Sequence, residues 1–266
     1  MIAYLCKIIA EFAKFDDSPK TANSLAANHL FQVNNTAKHL NDAKATVFHC
    51  MMAKALFLMK WAWLDILTAV AFLTTWVKNL DVNDWKKLIQ MIWYLKGSIN
   101  LPLVLHADST PLLKWWVNGL HATHSNCQGH LGGCLSLGAG TPILSSMKQK
   151  INTHSSTKSE LIAVDDFMPM ILWTNLFLEV QGYGSCNTII YQDNQSAILL
   201  KKNGRKSSSR CTWHLNICYY FISNRINTRD IKVEFCPMDD MIVDFFTKPL
   251  QGKTFLKFQD LIMNLD

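Results

Sequence analysis

The succession of elements predicted after Pro111 limits the fold more than any other feature of this sequence. Short apolar runs at residues 112–117, 131–137 and 142–146 predict three strands, the last two joined by a glycine-containing turn at 138–140. A long helix is predicted at 157–180, after a Ser/Thr cluster that can cap it. A strand, two helices, a strand and a helix are then predicted at residues 188–191, 194–202, 214–227, 231–235 and 239–247. This order predicts an α/β fold in which a mixed, five-stranded sheet is flanked by helices.

The preceding part of the chain is predicted to be mostly helical. Helices are expected at residues 43–61, 64–77 and 82–95, after a polar segment at 15–45. The most apolar region, 51–77, is interrupted by three charged residues, whereas a membrane span needs about 20 nearly unbroken apolar residues. We therefore expect packed helices and no membrane partner. A chain of 266 residues can hold two domains, which we place at 1–105 and 112–266.

Charge and cysteine content indicate which partners and which cellular compartment to expect. The formal net charge of +6 is compatible with a nucleic-acid partner. The eight cysteines are scattered without a CxxC pair, and the start of the chain lacks the pattern of a secretory signal. We therefore expect free thiols in an intracellular protein of the cytoplasm or nucleus.

Three acidic residues stand at the ends or in the apolar parts of predicted elements. Glu160 lies in the first turn of the long helix, Asp193 follows a buried strand, and Asp244 lies in an apolar helix. Each alone is explained by a structural role, since acids favour helix starts and cap the next helix. Together, in this order of elements, they predict a site for Mg²⁺, which prefers carboxylate oxygens.

Several segments then resemble the ribonuclease H signatures of copia-type LTR retrotransposons. These are residues 155–161, 191–197 and 244–250, together with a helix whose His214 to Tyr219 resembles the family's His-Ile-Asp-Ile-Arg-Tyr. Upstream, residues 72–75, 84–88 and 94–97 resemble the end of the family's reverse transcriptase region. The polymerase's paired-Asp motif occurs nowhere in the chain, so DNA synthesis is not expected.

The resemblance carries expectations for fold, chemistry and partners. It implies a ribonuclease-H-like domain at 112–266 and a remnant of the reverse transcriptase thumb and connection at 1–105. It also implies endonucleolytic hydrolysis of the RNA strand of RNA–DNA hybrids, with two Mg²⁺ or Mn²⁺ ions about 4 Å apart. Glu160, Asp193 and Asp244 would bind the metal, and the partners would be the hybrid and the rest of the Pol polyprotein.

The family's first metal-binding acid, at the end of the opening strand, is replaced in this chain. Asp108 and Asn118 are the two possible matches, and the spacing to Gly132 and Gly133 favours Asn118. An amide offers one neutral oxygen and no charge, so it cannot hold two divalent ions close together. We therefore expect weak or absent metal binding and impaired cleavage, with Asn118 as a defective member of the catalytic set.

Other differences from the family's sequences suggest alternatives to an active nuclease. Some positions where the family tends to carry Arg hold other residues, namely Trp61, Trp63, Trp76, Trp213, Cys218 and Gln128. One alternative is therefore a non-catalytic, nucleic-acid-binding remnant of a decayed transposon copy. Another is an expressed pseudogene product without function.

Two further clusters allow more than one interpretation. The basic residues Lys201, Lys202, Arg205, Lys206 and Arg210 could contact a hybrid backbone or form a solvated loop. The cluster His121, His124, Cys127, His130 and Cys134 suggests zinc, but its spacing matches no common finger, and we expect no zinc site.

Because neighbours on a strand face opposite ways, at least one of Trp115 and Trp116 should lie in the core.

Overall fold

The computed structural model describes residues 1–25, 30–34, 36–109, 112–183, 187–203 and 213–265, with only the backbone of residues 200, 203, 213–216 and 219. The helices are α1 Ile2–Phe12, α2 Asp42–Trp61, α3 Leu67–Thr74, α4 Val82–Gly97, α5 Ser156–Leu178, α6 Gln195–Asn203, α7 Trp213–Asn227, α8 Asp244–Thr247 and α9 Gly252–Met263. The strands are β1 His106–Ala107, β2 Leu112–Leu120, β3 His130–Ser136, β4 Gly138–Ala139, β5 Ile143–Lys148, β6 Asn187–Gln192 and β7 Lys232–Phe235. The chain divides into two compact units, Met1–Val104 with Lys248–Asp266, and Leu105–Thr247. We call them the helical unit and the sheet unit.

The sheet unit is built on a mixed, five-stranded sheet with strand order β5-β3-β2-β6-β7. Strand β3 runs antiparallel to β2 and β5, whereas β6 runs parallel to both β2 and β7. This confirms the predicted ribonuclease-H-like fold and its order of elements. The predicted turn at 138–140 contributes a short second ladder, in which β4 pairs with β1.

Two element boundaries differ from prediction near the acids. Strand β2 continues through Leu120, because Asn118 pairs with Gly132 and Gly119 pairs with Leu131. The sequence had predicted that this strand ends at Val117. The helix predicted at 239–247 is split into a 3₁₀ turn at Met238–Asp240 and the short α8.

Helix α5 packs its apolar residues against the sheet and forms the core of the unit. The buried side chains come from the central strands and from α5, and include Leu113, Trp115, Val117, Leu131, Leu161, Val164, Phe167, Met168 and Ile190. Trp115 is fully buried, while Trp116 is half-buried and stacks on Tyr191 with ring centroids 5.2 Å apart. The prediction that at least one of the two tryptophans is core is therefore confirmed.

Helix α5 also stands out for its apolar composition. Together with the π-helical turn that follows it, residues 156–183 are long and apolar enough to cross a membrane, judged by length and composition alone. Ten of the helix's residues are nevertheless buried within the protein, among them Leu161, Val164 and Phe167. This burial is the pattern of a core helix, which also passes such a test.

The helical unit contains α1 to α4 and the last helix, α9. Tyr94 of α4 donates its hydroxyl to the buried carboxylate of Asp65, and Gln259 of α9 donates to the same carboxylate at 3.2 Å. Phe255 of α9 packs edge-on against the Tyr94 ring. Residues 248–266 thus belong with the N-terminal helices, whereas the sequence had placed them in the second domain. The reason is the apolar face of α9, which is buried in this unit.

Candidate active site

The parallel pairing of β2 and β6 brings two predicted site residues to the same edge of the sheet. Trp116 is the partner of Tyr191 in this ladder, and Asn118 and Asp193 each follow two residues later in the chain. The fully buried Gln192 reinforces this junction, because its side-chain amide donates to the Val117 carbonyl at 3.5 Å.

Two glycines let the neighbouring helices approach this edge. A Cβ atom on Gly119 would lie 2.5 Å from the carbonyl oxygen of Ser159, so the first turn of α5 can reach the strand only beside glycine. A Cβ atom on Gly132 would lie 2.4 Å from the side chain of Thr247 in α8. The close approach of α5 delivers Glu160, and that of α8 delivers Asp244.

Asn118 and Asp244 are in direct contact. The Asn118 side-chain amide donates a hydrogen bond from Nδ2 to Oδ1 of Asp244 at 2.7 Å, and both residues are buried. In the chain this contact joins residues that lie far apart, on the second strand and on the last helix of the sheet unit. The position that sequence spacing favoured for the missing acid therefore lies next to a predicted metal ligand.

Glu160 and Asp193 are connected through Asn194. Asn194, which follows Asp193, donates from Nδ2 to Oε1 of Glu160 at 2.9 Å and also caps α6 through the amide of Ala197 at 3.0 Å. Cys236 lies just after β7. Burial raises the pKa of its thiol, a hydrogen bond with the Trp116 side chain lowers it, and the carboxylates of Asp240, Asp193 and Asp244 raise it again.

Lys201 is a member of the site whose role the sequence did not show. It is fully buried on α6, and its ammonium donates to the side-chain oxygen of Gln192. Burial lowers the pKa of Lys201 to about 7, while the carboxylates of Glu160 and Asp193 act in the opposite direction. The available signal was helical spacing, since Lys201 follows the buried Ala197 by four residues and Ile198 by three.

The prediction that Lys201 contacts a nucleic-acid backbone is therefore wrong, because its ammonium points into the protein. Lys202 is exposed on the same helix and stays a candidate for phosphate contact. Arg205, Lys206 and Arg210 lie outside the described residues, as does the side chain of His214.

Asp108, the alternative to Asn118, lies elsewhere in the sheet unit. It follows β1, is 44% exposed at its side chain and forms an ion pair with Lys114 at 3.6 Å. Lys114 lies near the start of β2, whereas Asn118 lies near its end. The geometry thus agrees with the spacing argument that favoured Asn118.

The donor set does not fit a pair of divalent ions as it stands. One oxygen of Asp244 accepts a hydrogen bond from the Asn118 amide, and one oxygen of Glu160 accepts a hydrogen bond from the Asn194 amide. The Lys201 ammonium interacts electrostatically with the carboxylates of Glu160 and Asp193. Over the described ranges, no three His, Cys, Asp or Glu side chains come close enough together to hold a metal ion. Mg²⁺ prefers a nearly complete shell of oxygen ligands, often carboxylates.

The histidine and cysteine cluster of the first hairpin is organised by hydrogen bonds. His124 and His130 share one at 3.1 Å, and His130 shares another with the Ser146 hydroxyl at 2.8 Å. That hydroxyl donates to the Phe246 carbonyl in α8 at 2.7 Å. Burial lowers the pKa of His124 to about 4 and that of His130 to about 3. These contacts support a structural role, in which the two histidines connect the hairpin to α8.

Cys218 is one of the positions where the sequence resemblance predicts Arg. Its thiol donates to Oδ2 of Asp165 in α5 at 2.9 Å. Burial raises the pKa of this thiol to about 12, and the hydrogen bond that it donates to Asp165 acts in the same direction. A carboxylate that could pair with a guanidinium thus faces a neutral thiol.

Comparisons of sequence connect the chain to retrotransposon polyproteins, although no family model matches it. It is 24% identical over 199 residues to the retrovirus-related Pol polyprotein from transposon TNT 1-94 of Nicotiana tabacum, covering 74% of this chain and 15% of that protein. It is 26% identical over 196 residues to the Pol polyprotein from transposon RE2 of Arabidopsis thaliana, covering 73% of this chain and 13% of that protein. The chain therefore spans a small part of these relatives, and the matched length exceeds the sheet unit.

Comparisons of structure give ribonuclease H proteins. One is ribonuclease H1 from the archaeon Halobacterium salinarum NRC-1, with 12% identity, a TM-score of 0.35, and coverage of 50% of this chain and 90% of that one. Another is LC11-RNase H1 in complex with an RNA/DNA hybrid, with 11% identity, a TM-score of 0.35, and coverage of 50% and 92%.

Proposed function

We propose that the sheet unit is a ribonuclease-H-like domain of a copia-type retrotransposon Pol polyprotein that binds RNA–DNA hybrids and cleaves the RNA strand weakly or not at all. The observation that carries this proposal is the 2.7 Å hydrogen bond from the Asn118 amide to the Asp244 carboxylate. It supports the proposal because Asn118, at the position where the resemblance predicts an acid, is bonded to Asp244, one of the predicted metal ligands.

The physical argument concerns charge. Phosphodiester hydrolysis of this class depends on two divalent ions held by a shared set of carboxylates. Replacing one acid by an amide removes a negative charge, and the N–H group turned toward Asp244 cannot ligate a cation. We therefore propose a low affinity for Mg²⁺ and Mn²⁺ in the native chain.

Binding does not depend on the same residues. The exposed Lys202 lies in the last turn of α6, the helix that begins two residues after Asp193, and we propose that it contacts a phosphate backbone. Affinity built on phosphate contacts falls with salt, and the 2′-hydroxyl would distinguish RNA from DNA. Residues 1–104 are, on this proposal, the end of a reverse transcriptase region.

The test compares the native chain with Asn118→Asp on a hybrid labelled in the RNA strand, with Mg²⁺ or Mn²⁺. We expect hybrid binding by both proteins, and cleavage that is regained or raised in the variant. Asn118→Asp combined with Asp244→Asn is the matched control, because it restores one acid while removing another and should stay inactive. Equal cleavage by the native chain and by Asn118→Asp would contradict impaired catalysis.

The alternative of a product without function is separated by two measurements. A protein that binds no hybrid at low salt and unfolds without a cooperative transition would support that alternative over our proposal. Salt-dependent hybrid binding together with cooperative unfolding would support a folded, nucleic-acid-binding domain.

A further inference from the structure

A buried lysine beside a cluster of acids is unusual, because removing an ammonium from water is costly unless opposite charges compensate it. Lys201 has 0% exposed surface, and its ammonium donates to Gln192. Its neighbours on the buried face of α6 are apolar, including Ala197 and Ile198. The compensation must therefore come from outside the helix.

Gln192 locates the ammonium relative to the acids. While its side-chain oxygen accepts from Lys201, its nitrogen donates to the backbone carbonyls of Glu160 at 3.4 Å and Val117 at 3.5 Å. Gln192 also directly precedes Asp193 in the chain. The ammonium is thus held at the end of β6, close enough to Glu160 and Asp193 for their carboxylates to favour its charged form.

We propose that the Lys201 ammonium is the resident cation of this site, which balances part of the negative charge of Glu160 and Asp193 and competes with a divalent metal ion for them. The inference rests on the proposed function, since it concerns the same acids, and it adds a second cause of weak metal binding beside Asn118. A metal ion held by these two carboxylates would stand close to a positive charge that cannot move into solvent.

Two causes of weak metal binding make distinct predictions for variants. Asn118→Asp adds a ligand but leaves the ammonium in place, so it restores metal affinity only in part. Lys201→Met removes the competing charge and keeps a side chain of similar length and apolar character. The double variant is therefore expected to bind the metal more tightly than either single variant.

The direct test is calorimetric titration of the full chain with Mn²⁺ at about pH 6, below the pKa of Lys201, in the absence of nucleic acid. We expect Lys201→Met to raise the Mn²⁺ affinity on the order of tenfold over the native chain, because a like charge near the ion is removed. Lys232→Met is the matched control, since it makes the same charge change at an exposed position on β7 and should leave the affinity unchanged. Equal affinities for the native chain, Lys201→Met and Lys232→Met would overturn the proposal.

A second measurement needs no metal and tests the neutralisation itself. In EDTA, Glu160→Gln should destabilise the native chain, because the buried ammonium loses one of its counter-charges. The same change should cost less in a Lys201→Gln chain, in which a neutral amide can still donate to Gln192. Additive effects of the two substitutions on the unfolding free energy would contradict a Lys201–Glu160 interaction.

These outcomes are separable from those of the proposed function. The proposed function fails if the native chain cleaves the hybrid as fast as Asn118→Asp. The role of Lys201 fails on the Mn²⁺ affinities and on the additivity in EDTA, neither of which uses hybrid cleavage.

Discussion

The contact between Asn118 and Asp244 leads to a quantitative prediction for Asn118→Asp without metal. The Asn118 amide nitrogen lies 2.7 Å from Oδ1 of Asp244, and both side chains are buried. The substitution replaces a hydrogen-bond donor by a second carboxylate. A bond from an amide to a carboxylate contributes about 1.5–3 kcal/mol, and this contribution is lost.

Repulsion between the two carboxylates adds to this loss. With charge centres about 4 Å apart and an effective dielectric constant of about 20, it amounts to about 4 kcal/mol. Part of that cost is relieved by side-chain movement, and we expect a net loss of roughly 3–4 kcal/mol in the free energy of unfolding of the sheet unit. A divalent cation between the carboxylates reverses the sign of the interaction.

The assay is urea-induced unfolding at pH 7.5, in EDTA and in millimolar Mn²⁺, followed by circular dichroism and tryptophan fluorescence. We expect the variant to be destabilised in EDTA and to regain stability with Mn²⁺, whereas the native chain responds little. Asn152→Asp serves as the control, because it makes the same chemical change at an exposed position of the sheet unit. The reasoning is refuted if Asn118→Asp unfolds in EDTA with the native free energy, or if Mn²⁺ gives no recovery.

Three further predictions follow from other contacts of the sheet unit. Burial lowers the pKa of His124 to about 4 and that of His130 to about 3, so the unfolded chain takes up protons before the folded chain does as the pH falls below about 6.5. The free energy of unfolding should therefore fall by up to about 1.4 kcal/mol per histidine and pH unit, which urea unfolding at about pH 7.5 and pH 5 would measure. Cys218→Arg should form an ion pair with Asp165 and raise the unfolding free energy by about 1 kcal/mol, a gain absent when Asp165 is replaced by Asn. Gly119→Ala should lower the free energy of unfolding by about 1–3 kcal/mol, because the added Cβ would lie 2.5 Å from a backbone oxygen of α5 that cannot rotate away. An unchanged urea midpoint would show that the strand and the helix separate easily.

Much of the site could be located from sequence because its signals are local. Glu160 stands at a helix start, Asp193 follows a buried strand and Asp244 lies in an apolar segment. Each of these patterns depends on only a few neighbouring residues. The preference for Asn118 over Asp108 came from the spacing to Gly132, and Gly132 is the residue that Asn118 pairs with across the sheet. The predicted order of elements was confirmed for the same reason, since periodicity and turn residues are properties of short segments.

Only the tertiary structure shows which groups balance the negative charges of the acids. Lys201 belongs to a run of basic residues, and only the packing of α6 shows that it is buried and bonded to Gln192 while Lys202 is exposed. The placement of α9 in the helical unit was likewise decided by contacts with residues such as Tyr94, far away in the chain. Sequence patterns thus determined which elements form and where the acids stand in them. The environment of each charge depends on groups brought together by folding, which no local pattern encodes.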